Sequence, residues 1–143
     1  MADILHEFPI NAPVARVFEG ITTPAGLDQW WTQFSSGEPG PGAEYALGFG
    51  PEYDWDARVT RYVPNEEFEL ELVEAMDEWL GTRVGFRLTE AGDHTQVSFW
   101  HSGWKEATPH FRTSSYCWAM YLRILRCYLE TGETVPYEER LDA

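Results

Sequence analysis

The chain has 143 residues, 43% of them hydrophobic and 15% aromatic, which is enough to build one full core without disulfide or metal staples. Twenty-four acidic against ten basic side chains leave a formal charge of -14, and Arg58, Arg61, Arg83 and Arg87 each sit among carboxylates, so no basic patch forms and nucleic-acid binding is excluded. No segment approaches the roughly 18 apolar residues of a membrane span, which excludes membrane insertion.

The N-terminus lacks a basic stretch followed by an apolar one, and a cytoplasmic protein is expected. Ile4, His6, Phe8 and Ile10 alternate with Leu5, Glu7 and Pro9, the period of a strand, and Asn11-Ala12-Pro13 then opens a helix carrying Val14, Val17, Phe18 and Ile21 at helical spacing. Thr23-Pro24 repeats the start signal, a cap followed by proline at the first helical position, for a second short helix ending near Trp31. Residues 35 to 42, rich in Gly and Pro, read as a loop and a flexible flap.

Strands follow over about 43 to 49, 53 to 63, 66 to 75, 81 to 89 and 94 to 102, an antiparallel meander punctuated by Gly, Pro, Asn and Asp. In Glu67-Phe68-Glu69-Leu70-Glu71-Leu72 strict alternation puts three carboxylates on a wet face and three apolar groups on a covered one. Val84, Phe86 and Leu88, then Val97, Phe99 and His101, continue the covered face, while Glu69 and Glu71 are expected to pair with Arg83 and Arg87 on the wet one. Thr108-Pro109 starts a last helix to about residue 131, with Phe111, Trp118, Tyr121, Leu122, Leu125, Tyr128 and Leu129 at three- and four-residue spacing and Gly132 as its stop. At 1.5 Å per residue this helix is about 34 Å long and covers a whole sheet. Cys117 and Cys127, ten positions apart on it, lie about 15 Å from each other and cannot form a disulfide within it. Residues 133 to 143 read as an exposed or loosely docked charged tail on a single domain spanning 1 to 143.

Strand, two short helices, meander and long terminal helix is the order of the START-like, or SRPBCC, superfamily. The chain resembles the branch related to activators of the heat-shock-protein-90 ATPase. The matching residues are Ile10-Asn11-Ala12-Pro13 with Val17-Phe18, Thr23-Pro24 to Trp30-Trp31, Thr95 to Trp104 with His101-Ser102-Gly103-Trp104, and Cys117-Trp118 through Tyr128-Leu129-Glu130-Thr131-Gly132. The resemblance implies an α+β helix-grip fold: a curved antiparallel sheet of about six strands wrapped around the C-terminal helix, enclosing an apolar cavity that relatives use for lipids, sterols, polyketides or hormones. It implies no single activity. Co-chaperone activity is not carried over, because the eukaryotic activators pair this kind of domain with a separate N-terminal chaperone-binding one, and here the first strand starts within a few residues of Met1.

The Gly37 to Gly42 stretch is broken by Pro39 and Pro41 and lacks the lysine and hydroxyl of a phosphate cradle. His6, His94, His101 and His110 fall on different elements without metal-ligand spacing, so neither cofactor nor metal is expected. His101 is aimed at the covered face, where it is either satisfied within the core or touches a ligand. Glu74 shares the parity of Leu70 and Leu72; facing inward it would form an acid–base pair with His101 of polyketide-cyclase type, with Tyr45 and Tyr121 as phenolic donors.

The expected binding wall is Trp55, Leu70, Leu72, Phe86, Phe99, His101, Trp118, Tyr121, Leu122 and Leu125, enclosing a small hydrophobic or aromatic molecule. Trp100, on the wet-face parity, suggests a homodimer contact. Three function classes result: a binding protein, an acid–base enzyme in the same cavity, and a co-chaperone-like interaction module.

Overall fold

The computed structural model describes residues 1–51 and 53–142. Strand β1 (Ala2–Ile10) is followed by helices α1 (Val14–Thr22) and α2 (Pro24–Leu27). Strands β2 (Phe34–Ser36), β3 (Glu44–Gly48), β4 (Asp54–Val63), β5 (Glu67–Glu74), β6 (Arg83–Ala91) and β7 (His94–Trp104) precede helix α3 (Pro109–Thr131). They form one antiparallel sheet in the order β1-β7-β6-β5-β4-β3-β2, so the first strand closes against the last and α3 lies across the covered face. This is the expected helix-grip architecture with seven strands rather than about six. The added strand, β2, has three residues, paired Phe34 to Gly48 and Ser36 to Ala46. It is too short for alternation to register and borders the Gly/Pro run that reads as loop.

The caps act as the sequence implies. Thr23 Oγ1 accepts from Gly26 N at 3.0 Å and Thr108 Oγ1 from Phe111 N at 3.1 Å. Gly132 ends α3 in the left-handed conformation at φ 80°, where its N–H reaches Tyr128 O at 2.8 Å. Both cysteines are free. Among the described residues no helix is long and apolar enough to cross a membrane.

The outer face departs from a simple wet surface. The register pairs Glu67 with Arg87, Glu71 with Arg83 and Glu69 with Gly85. Arg87 therefore meets Glu67 at 3.4 Å, while Arg83 lies between Glu69 at 3.7 Å and Glu71 at 3.8 Å. A Cβ on Gly85 would come within 2.3 Å of the Trp100 indole, which lies flat in that gap and donates to Glu69 Oε2 at 2.8 Å. Glu69 is consequently only 6% exposed and also accepts from Thr60 Oγ1 at 2.8 Å. A tryptophan that parity aims at solvent is thus roofing a carboxylate.

The tail is docked rather than loose. A 3-10 turn over Tyr137–Asp142 buries Arg140, whose guanidinium donates to Val135 O at 3.1 Å, Thr32 O at 3.0 Å and Asp28 O at 2.6 Å. Charge alone left this segment exposed or loosely docked, because the orphan carbonyls at the end of α2 that hold Arg140 are invisible in a linear sequence. Ala143 lies outside the described residues.

Candidate functional site

A cavity of about 320 Å³ opens between the N-terminal half of α3 and the ends of β3 to β5. Helix α3 contributes His110, Thr113, Ser114, Cys117, Trp118 and Tyr121; the sheet and its connections contribute Phe49, Tyr53, Trp55, Met76 and Trp79. Trp31 comes from the turn after α2, and Tyr137 from the docked tail.

Five of these rings form a closed circuit. Centroid separations are 5.4 Å from Trp31 to Phe49, 4.8 Å from Phe49 to Trp55, 5.1 Å from Trp55 to Trp79, 5.9 Å from Trp79 to Trp118 and 5.2 Å from Trp118 back to Trp31. No two non-adjacent rings of the circuit pack on each other, so its middle is not filled by its own members. Planar, stiff side chains in tilted, stacked and edge-to-face pairs hold such a wall open where flexible ones would fold into the gap.

His101 lies behind that wall, fully buried, in a one-way chain of hydrogen bonds. Trp118 Nε1 has only a proton to give and donates it to His101 Nδ1 at 3.0 Å. Nδ1 is therefore the bare nitrogen, and Nε2–H donates to Thr82 Oγ1 at 2.7 Å, which donates in turn to Trp79 O. Burial, with a smaller push from His110, lowers the imidazole pKa from 6.5 to about 3. His101 is a neutral strut that fixes two rings of the circuit; it does not line the cavity.

Glu74 faces outward and is exposed, so the proposed pairing with His101 is not made. The cause is a register shift: Asp56 pairs with Glu74 but Ala57 with Leu72, leaving Val73 extra and inverting parity at the strand end. Tyr45 is likewise withdrawn. Its hydroxyl donates to Thr22 O inside the core, and burial raises its pKa strongly.

Of the expected wall, Trp55, Trp118 and Tyr121 line the cavity. Leu70, Leu72, Phe86, Phe99, Leu122 and Leu125 are each at most 3% exposed and belong to the closed core beyond it. Parity identified the covered face correctly but could not tell its filled part from its hollow part. Missed among the aromatic rings were Trp31, Phe49, Tyr53, Trp79 and Tyr137, all on turns, strand ends or the tail, where alternation gives no direction, and missed besides were Met76 and, on α3, His110, Thr113, Ser114 and Cys117. The usable signal was Trp79 itself, a tryptophan in a polar connection, Asp77-Glu78-Trp79-Leu80-Gly81.

The lining is chemically quiet. Burial raises the Cys117 thiol and the Tyr121 and Tyr137 phenols, keeping each protonated. Among the described residues His110 is the one imidazole at the cavity, and its Nδ1 lies 3.0 Å from Glu78 Oε2. Glu78 also accepts from Thr108 Oγ1 at 2.6 Å, and that hydrogen bond, followed by those of His110, holds its carboxyl below the usual range. Among the described residues no three His, Cys, Asp or Glu side chains converge as a metal site would require.

The family model described as Activator of Hsp90 ATPase homolog 1-like protein, AHSA1, matches residues 11–130. The chain belongs to the AHSA1 family. Its match to the Aha1 dimer from Colwellia psychrerythraea is 31% identical, with a TM-score of 0.84 over 93% of this chain and 99% of that one. Protein SSP2350 from Staphylococcus saprophyticus matches at 20% identity, TM-score 0.79, over 94% of this chain and 96% of that one. CalU16 from Micromonospora echinospora matches at 21% identity, TM-score 0.74, over 98% and 83%. These last two share the fold with this AHSA1 member. No curated protein matches the chain.

Proposed function

We propose that this AHSA1 protein binds a small apolar or aromatic molecule, lipid or polyketide-like in class, in the cavity between α3 and the sheet. The observation that carries the reading is the closed aromatic circuit that forms part of the wall of a cavity of about 320 Å³, within the size range of small-molecule sites and built from rigid contact surfaces. A chain that needed only a core had no reason to leave this end hollow while filling the other.

Native followed by denaturing mass spectrometry of the purified protein, combined with tryptophan fluorescence during titration with apolar aromatic probes, tests the reading. The expected result is a co-purifying or titratable ligand that perturbs the indole emission. Failure of every probe to bind, with the protein folded and empty, overturns it.

An acid–base reading is favoured by one observation, at a different place from the pair the sequence suggested: His110 lines the cavity with Glu78 behind its Nδ1, the geometry of an oriented imidazole base. His110→Gln abolishing a turnover that Cys117→Ala leaves intact would establish it, and equal turnover in both variants would remove it. Chaperone binding leaves the aromatic circuit without a purpose, and a pull-down with Hsp90 that recovers no complex removes that reading. Because the Colwellia relative is a dimer, a homodimer of this chain is the matching proposal, checked by light scattering.

A further inference from the structure

We propose that the aromatic circuit takes an alkylated ammonium head, the cationic end of a quaternary-amine ligand, a specification that rests on the cavity being a binding site. Four of its five rings are indoles, Trp31, Trp55, Trp79 and Trp118, the side chains whose faces attract a cation most strongly. Neighbouring centroids lie 4.8 to 5.9 Å apart around the closed loop, so a group seated at its middle falls within roughly 6 Å of every ring centroid.

Charge and hydrogen bonding narrow the class. No Lys or Arg lines the cavity among the described residues. His110, the one lining group able to become cationic, has the Glu78 carboxylate against it. Arg140 stands 5.4 Å from the Tyr137 ring but outside the circuit, its donors committed to three carbonyls. An anionic head would find no counter-charge here and would meet the negative faces of the rings; the net charge of -14 adds a field that draws cations in. A primary ammonium carries three N–H groups that need acceptors when desolvated, and the five circuit rings offer none; the hydroxyls of the lining, on Tyr53, Thr113, Ser114, Tyr121 and Tyr137, are not members of the circuit. A quaternary ammonium has no N–H to satisfy, so an aromatic cage is a complete environment for it.

The test compares choline with neohexanol, its uncharged carbon isostere, by tryptophan fluorescence and calorimetry on the wild-type chain and on Trp55→Leu, which removes one half-buried face while keeping apolar volume. Choline binding about tenfold tighter than neohexanol, with that preference reduced in Trp55→Leu, is the expected result. Equal or tighter binding of neohexanol overturns the cationic specification. Absence of choline binding while an uncharged naphthalene probe still binds overturns it too, and leaves the apolar cavity standing. Absence of binding by both choline and the naphthalene probe overturns the specification together with the cavity reading.

Discussion

One helix, α3, covers two regions that are built differently. Its C-terminal half presents Leu122, Ile124, Leu125 and Leu129, all buried, and a Cβ on Gly20 of α1 would sit 3.0 Å from a Leu129 methyl, which measures how closely that end is packed. Its N-terminal half presents Ser114, Cys117, Trp118 and Tyr121 to a hollow walled by tryptophans. Flexible aliphatic chains adjust their rotamers until space is filled, whereas large flat rings locked by edge contacts and hydrogen bonds keep a shape that includes a void. Hydrophobic patterning specifies which face of an element is covered, and side-chain stiffness decides whether the cover is solid.

The sharpest way to break the comparison is to make a hole in the solid half. Leu125→Ala should cost about 2 to 5 kcal/mol of stability by denaturant unfolding, with affinity for cavity probes unchanged once the protein is folded. A matching loss of affinity would mean that the two halves are one mechanical unit.

Acid should strike the boundary between the halves. The unfolded chain takes up a proton at His101 below pH 6.5, while the folded chain refuses it until about pH 3. Stability from this group is therefore fully present above 6.5 and is lost as pH falls through that window, at about 1.4 kcal/mol per pH unit for one proton. His101→Gln offers an oxygen to Trp118 and a donor to Thr82 without titrating, so its acid limb should be shallower by one proton. Unfolding curves from pH 7 to 4 that run parallel for the two proteins would contradict the neutral chain from Trp118 to Trp79.

These tests also mark where sequence reasoning stops. The order of elements, the caps at Thr23 and Thr108, the stop at Gly132 and the inward direction of Val97, Phe99 and His101 are all local or period-two properties, and all were legible. Glu74 was not, because its direction depends on where the β4–β5 register slips. The roof that Trp100 makes over Glu69 depends on Gly85 in the neighbouring strand. The cavity wall was half legible: Trp118 and Tyr121 follow from helical period, while Trp31, Phe49 and Trp79 lie where no period applies. What the sequence does not contain is the meeting of chain segments that only the assembled grip brings together.

Next in size is the tail. Arg140→Ala removes three hydrogen bonds to backbone carbonyls, one of them buried, and should cost about 1 to 3 kcal/mol. Because Tyr137 rides on the same turn, the hollow half should also open: probe dissociation should quicken in Arg140→Ala and stay unchanged in Leu125→Ala. If the two variants behave alike, the tail is an ornament of the core rather than one wall of the cavity.

The smallest effect uses the helix's own two thiols as reporters, one in each half, and needs no mutation at all. Cys117 lines the cavity and burial raises its pKa, which lowers its thiolate fraction, whereas Cys127 is exposed beyond it. Iodoacetamide at pH 8 should modify Cys127 several-fold faster, as read by mass spectrometry of the tryptic peptides, with folding unperturbed. Adding a cavity ligand should slow Cys117 further and leave Cys127 alone, because the ligand occupies the space the reagent must cross. Equal protection of both thiols would indicate that the ligand rigidifies the whole helix, in which case the hollow and solid halves, though built differently, respond as one body.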